Sequence, residues 1–336
     1  MGYKLISQLS HAELITPTPN ETVAFYRDIL GLQVVHQGGQ SAWLRAWGEW
    51  FHHSLKITEG KETAQGHMAW RTDGPQELED AAKALEKHGI EGKWTDGDVG
   101  HGRSYEFMTP GGHRAELVWE VDRYTAPEGG QSRFPNRPQK QPMTTSAVRR
   151  IDHVTILSKE LDADYQLFRD VLGFRLMEGV LATDGKTPFF ATLTSGAHNH
   201  DLAMRREYPD YEGPGGRPHH VAWYLDTRDE VVKALDILAE NGYLLEHGPM
   251  RHGIGDGYFF VYFREPGGHR VELVSGGYWN YISDWETIWW NHDENANFAW
   301  YETQLPAPAT PFRINGVAQQ PRPFVAEKPA LVGDRH

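Results

Sequence analysis

His153, the pair His219-His220 and Glu272 stand in three separate runs rich in β-branched and aromatic residues, each of the kind that forms a strand: Ile151 to Leu157, His219 to Leu225, and His269 to Val274. Brought together, two imidazoles and one carboxylate make a facial triad. Such a triad holds Fe(II) or Mn(II) and leaves positions open for oxygen ligands. A lone strand histidine is more often packed or solvated, so the case for ligation rests on placement within a repeated pattern. Proton-transfer candidates lie nearby. His200, in His200-Asp-Leu-Ala203, and His198 would share a face of an extended strand. Tyr262 lies across the turn Glu265-Pro-Gly-Gly268 from Glu272, nearly opposite it in a hairpin, and His252 stands upstream in Arg251-His-Gly253.

The repeat is plain in Thr109-Pro-Gly-Gly-His-Arg-Ala-Glu-Leu117 and Glu265-Pro-Gly-Gly-His-Arg-Val-Glu-Leu273, and residues 26–32 match 168–174. His11, His67 and Glu116 therefore stand where His153, His220 and Glu272 stand, and His53 and His101 correspond to His200 and His252. Aligning Gly66-His67-Met-Ala-Trp70 with His219-His220-Val-Ala-Trp223 selects His220 as the ligand. His219 is then expected on the opposite face. The halves differ at one telling place, where Glu106 takes the position of Tyr262.

These residues must be positioned by two similar units. A chain of 336 residues suits two domains, and its 12 Trp, 14 Tyr and 14 Phe provide core material. Amphipathic, capped segments predict helices over 17–31, 75–89, 160–173 and 229–242, with short strands between them. The order is four β-α-β-β-β modules, an α+β class. Proline-rich 124–148 reads as a linker between 1–123 and 149–304, and 305–336 as a proline-rich tail. A formal charge of -13 is the wrong sign for nucleic acid or an anionic membrane surface. With no cysteine and no apolar leader, a cytoplasmic enzyme is expected.

Four such modules in order, with the histidines and glutamates in register and the Pro-Gly-Gly-His-Arg-x-Glu hairpins, resemble the vicinal oxygen chelate superfamily, whose fold is glyoxalase-like. The two-domain form resembles the type I extradiol dioxygenases that cleave catechols. The resemblance implies Fe(II), with Mn(II) also suited, held by His153, His220 and Glu272, and small aromatic diol and O2 as substrates. It implies His200 as acid/base beside dioxygen, with His198 its rival, and Tyr262 and His252 as hydrogen-bonding partners of the diol. It also implies an N-terminal half without a functional metal and a homotetramer. The run from Gly276 through Trp290 to Tyr301 resembles single-ring enzymes, and His247, Ala296 and Asn297 stand where the homoprotocatechuate branch carries carboxylate-binding arginines. An uncharged catechol is the expected substrate. The alternatives are another metalloenzyme of this fold (a homoprotocatechuate or two-ring diol dioxygenase, a hydroxyphenylpyruvate-type dioxygenase or a glyoxalase-type isomerase) or a non-catalytic aromatic-binding module.

Overall fold

The computed structural model describes residues 4–143, 146–294 and 296; the proline-rich segment 305–336 and Asn297 lie outside the described residues. Module one comprises β1 (Ile6–Thr16), α1 (Pro19–Asp28), β2 (Gln33–Gly38), β3 (Ser41–Arg45) and β4 (Leu55–Glu59). Module two comprises β5 (Ala64–Thr72), α2 (Pro75–Lys87), β6 (Gly92–Thr95), β7 (Ser104–Met108) and β8 (Arg114–Val118). Together they make an eight-stranded sheet in the order β2-β3-β4-β1-β5-β8-β7-β6. The second half repeats it with β9 (Arg150–Ser158), α3 (Leu161–Gln166), β10 (Arg175–Leu181), β11 (Pro188–Thr194) and β12 (Leu202–Arg206). Then follow β13 (Arg217–Tyr224), α4 (Arg228–Glu240), β14 (Leu245–Arg251), β15 (Phe259–Arg264) and β16 (Arg270–Ser275). A short β17 (Ile288–Trp290) is added along β10, giving nine strands.

Local chemistry accounts for the helices. Proline in the first turn presets α1 and α2, and Thr227 and Glu230 close a reciprocal capping box on α4. The helix expected over 160–173 is α3 continued by a π-helical turn, Leu167–Val171. Sequence periodicity near 3.6 does not separate these two windings.

One continuous core joins the halves. Helix α1 of the first half packs on the second: Phe25 lies 4.9 Å from Tyr243 and Tyr26 lies 5.9 Å from Trp223 between ring centroids. The reciprocal contact sets Trp70 against Phe168 and Phe174, at 5.8 and 5.0 Å.

The repeated Pro-Gly-Gly-His turns clasp the halves together. His113 Nε2 donates to the Leu157 carbonyl at 3.0 Å, and His269 Nε2 donates to the Ile15 carbonyl at 2.9 Å. Glycine is required because the partner half lies so close: a Cβ on Gly111 would fall 2.2 Å from Asp164 Oδ2, and one on Gly267 would fall 2.2 Å from Thr16 Oγ1. Gly267→Ala is therefore expected to destabilise the protein by about 1–3 kcal/mol through overpacking, read as a lower urea midpoint with an unchanged slope.

Candidate metal centre

Strand register alone assembles the triad. His153 on β9 pairs with Ala222 on β13, and Ala222 pairs with Glu272 on β16. His220 lies two residues before Ala222 and so projects on the same face. Ala222, too small to reach between its neighbours, leaves the space above it to the three longer side chains. Their ligand atoms converge: His153 Nε2, His220 Nε2 and Glu272 Oε2 are mutually 3.1 Å apart. All three residues are buried, and Glu272 Oε2 has no hydrogen-bond partner. A carboxylate oxygen left that way in the interior is costly, and a cation at the centre of the three atoms removes the cost. The donor set thus fits a first-row divalent ion.

The surrounding charges decide the protonation of the triad. Burial pushes the His153 imidazolium down, but the hydrogen bond to Asp152 and the charge of the adjacent Glu272 carboxylate outweigh it and raise its pKa to about 9. Burial dominates at His220 and lowers it to about 4. Burial opposes ionisation of Glu272, yet the neighbouring histidines, His220 first, hold it well below the usual carboxylate range.

Outside the triad, Asp152 orients His153 through Nδ1 at 3.0 Å. Asp152 is in turn ion-paired with Arg150 at 2.6 Å and accepts from the Tyr258 hydroxyl at 2.8 Å. A carboxylate behind a histidine fixes the ring and strengthens it as a donor. Sequence reasoning missed Asp152 and Tyr258. Adjacency to His153 was the only signal for the first, and the second had none.

The triad forms one wall of a cavity of about 100 Å³ that also exposes His200, Tyr262, His252, Phe190 and Ile254. His200 stands 4.2 Å from His153 between ring centroids, and the Asn199 amide lies 2.8 Å from its Nδ1. Burial first, then the nearby His153 and His198, lowers its pKa well below 6.5, so the ring is neutral near pH 7. Residues 195–201 form a turn instead of the expected extended strand. His198 accordingly turns away, with Nε2 2.8 Å from the Tyr258 hydroxyl, and lines a neighbouring groove with Trp279. Tyr262 pairs directly with Glu272 across the hairpin. Burial, reinforced by Glu272, keeps its phenol protonated. His252 stacks flat on Phe260 at 3.6 Å, with Nε2 3.4 Å from both Glu272 Oε1 and the Tyr262 hydroxyl.

His219 departs from expectation. A β-bulge between Pro218 and His220 breaks the alternation, and His219 lines the same cavity, its Nδ1 2.6 Å from His220 Nδ1. Of the three positions compared with carboxylate-binding arginines, His247 lines the cavity and buried Ala296 packs with Val180 and Ile254. The aromatic run after Gly276 is anchored by buried Glu178, which accepts from Tyr278 at 3.0 Å and from the Trp290 indole at 2.8 Å.

Known proteins share this architecture. The model of the Glyoxalase/Bleomycin resistance protein/Dioxygenase superfamily matches residues 8–117 and 150–273. A manganese-dependent 2,3-dihydroxybiphenyl 1,2-dioxygenase of Geobacillus genomosp. 3 is 36% identical over 306 residues, 89% of this chain and 95% of that protein. A metapyrocatechase of Geobacillus stearothermophilus is 35% identical over 290 residues, 86% of this chain and 87% of the relative. The crystal structure of the 2,3-dioxygenase LapB from Pseudomonas sp. KL28 superimposes with a TM-score of 0.77 at 27% identity, covering 86% of this chain and 98% of that one. The chain belongs to this superfamily, within its branch of extradiol ring-cleaving dioxygenases. No helix among the described residues is long and apolar enough to cross a membrane.

Because His153 carries a proton in the metal-free protein, an ion must displace it. Loading near pH 7 is expected to release about one proton at this triad, and its affinity should rise about tenfold per pH unit until the pH reaches the His153 pKa of about 9. Calorimetric titration of metal-free Glu116→Gln protein, in buffers of differing ionisation enthalpy, reads both quantities without a contribution from the first half.

Proposed function

We propose that the chain is a catechol 2,3-dioxygenase that uses Fe(II) at His153, His220 and Glu272. It opens the ring bond beside the two hydroxylated carbons and places both atoms of O2 in a 2-hydroxymuconic semialdehyde. The observation that carries this reading is the converging triad at the wall of a small aromatic cavity. A volume of about 100 Å³ suits one ring better than two. Mn(II) fits the same donors, and a relative named as manganese-dependent keeps it the second choice of metal.

When bound, the ion acidifies one diol hydroxyl and couples the electron-rich ring to dioxygen. The protein's own groups handle the rest. Neutral His200 has room for the proton of the second hydroxyl and later returns it to the oxygen released as the ring opens. Tyr262, held protonated, donates a hydrogen bond to a diol oxygen and keeps the ring plane fixed. His252, braced on Phe260, supplies a further hydrogen bond at the rim. Phe189, Phe190 and Ile254 exclude water from the reacting face.

A catechol bearing an acidic side chain is the second reading, favoured by Arg205. This residue lines the cavity, and its guanidinium lies 4.6 Å from the centroid of Phe189 and 4.1 Å from that of Tyr208. We also assign catalysis to residues 149–304, a cytoplasmic location, and a homotetramer. Exposed Trp279, Tyr281 and Ile282 offer an apolar patch that a partner subunit would cover.

The deciding experiment is anaerobic loading with Fe(II) or Mn(II), followed by catechol, 2,3-dihydroxybiphenyl or 3,4-dihydroxyphenylacetate and air. A yellow product with one O2 consumed per catechol is expected, with the highest kcat/KM for catechol and Fe(II). A preference for either other diol moves the substrate accordingly, and loss of the acid's turnover alone in Arg205→Leu would establish the second reading. His200→Asn is expected to bind metal and diol normally while kcat falls about 10²–10⁴-fold. Unchanged turnover removes His200 from proton transfer.

A further inference from the structure

We propose that the first half holds a divalent metal ion of its own at His11, His67 and Glu116, in a site closed to diols. This departs from the expectation, drawn from the resemblance, that this half carries no functional metal.

The strand register is the same as in the second half. His11 on β1 pairs with Ala69 on β5, Ala69 pairs with Glu116 on β8, and His67 precedes Ala69 by two residues. The three ligand atoms lie within 4.8 Å of one another. His11 Nε2 is 2.8 Å from His67 Nε2, and Glu116 Oε2 is 3.7 and 3.5 Å from these two nitrogens. Glu116 is 4% exposed, yet Oε2 has no hydrogen-bond partner. Buried His53 Nε2 is likewise unpartnered, and its ring lies 4.5 Å from that of His11. A bare carboxylate oxygen and an unpartnered imidazole nitrogen beside two facing imidazole nitrogens are groups that a cation would satisfy. Glu13 supplies the orienting carboxylate: it accepts from His67 Nδ1 at 2.8 Å, which leaves the Nε2 lone pair for an ion. With His53 as a nearby nitrogen, the set suits Zn(II) as well as Mn(II) or Fe(II).

The same comparison shows why this site does not cleave rings. In the second half, Thr155 and Ala203 are paired neighbours lining the diol cavity. Their counterparts are Glu13 and Lys56, paired on β1 and β4. Lys56 Nζ bridges Glu13 at 3.4 Å and Asp98 at 2.6 Å, and Thr58 donates to Glu13 at 2.7 Å. A charged chain therefore fills the space that a ring would need. Glu106, opposite Glu116 where Tyr262 faces Glu272, is drawn to Lys93 and Arg114. An ion here ties β1, β5 and β8 together and has a structural role.

The test is metal content of full-length protein, stripped by chelator, reloaded separately with Mn(II) and with Zn(II), and freed of excess ion. Two ions per chain are expected in the wild type with at least one of the metals, and one in Glu272→Gln, whose remaining ion still raises the melting temperature. Glu116→Gln, nearly isosteric, should retain one ion and keep ring cleavage within about twofold of wild type, because the two sites are independent. His67→Gln should behave as Glu116→Gln does. One ion per chain in the wild type, or two that are both lost only in Glu272→Gln, would overturn the proposal.

Discussion

A buried carboxylate with an unmade hydrogen bond, Glu272, is the constraint around which the second half is organised. Its ionised form is costly in the interior unless positive charge lies close by. Two histidines stand within 3.1 Å on adjoining strands, and a third, His252, is 3.4 Å from its other oxygen. The arrangement is least costly when a metal ion replaces the proton that His153 otherwise carries. The β-sheet supplies the rigidity that such convergence needs, because β9, β13 and β16 are hydrogen-bonded neighbours.

The duplication explains why this constraint is met twice. A β-α-β-β-β module buries only part of its apolar surface alone, so modules pair within a sheet and each half then packs a helix on the other. The Pro-Gly-Gly-His turns serve this packing: their glycines admit the neighbouring half, and their histidines satisfy a strand carbonyl of that half. The motif most conspicuous in the chain is thus a fastening between halves, and the triad carboxylates, Glu116 and Glu272, lie a few residues beyond it.

Around the triads the halves differ in volume and charge. Thr155 and Ala203 leave space where Glu13 and Lys56 fill it, and Tyr262 offers a phenol where Glu106 turns to surface cations. Small changes of volume and charge on a shared register separate an open cavity from a closed one. Around the open cavity, Asp152, Tyr258 and His198 brace His153, while Glu178 pins the aromatic run that follows β16.

Much was legible in the chain itself. Two copies of one pattern, the alternation of strands and the helix caps determine the module order, and the Gly66-to-Trp70 match picks His220 from its neighbour, because side-chain period and local propensity are properties of adjacent residues. Folding decided what depends on distant residues or on departures from ideal geometry. The bulge before His220 turned His219 into the cavity, the turn over 195–201 sent His198 away from it, and Tyr258 met Asp152 from 106 positions along the chain. The unfilled oxygen of Glu116 belongs to the same class. A histidine and a glutamate in register show that a site is conceivable, but only the packed sheets show which polar atoms are buried together and left without partners.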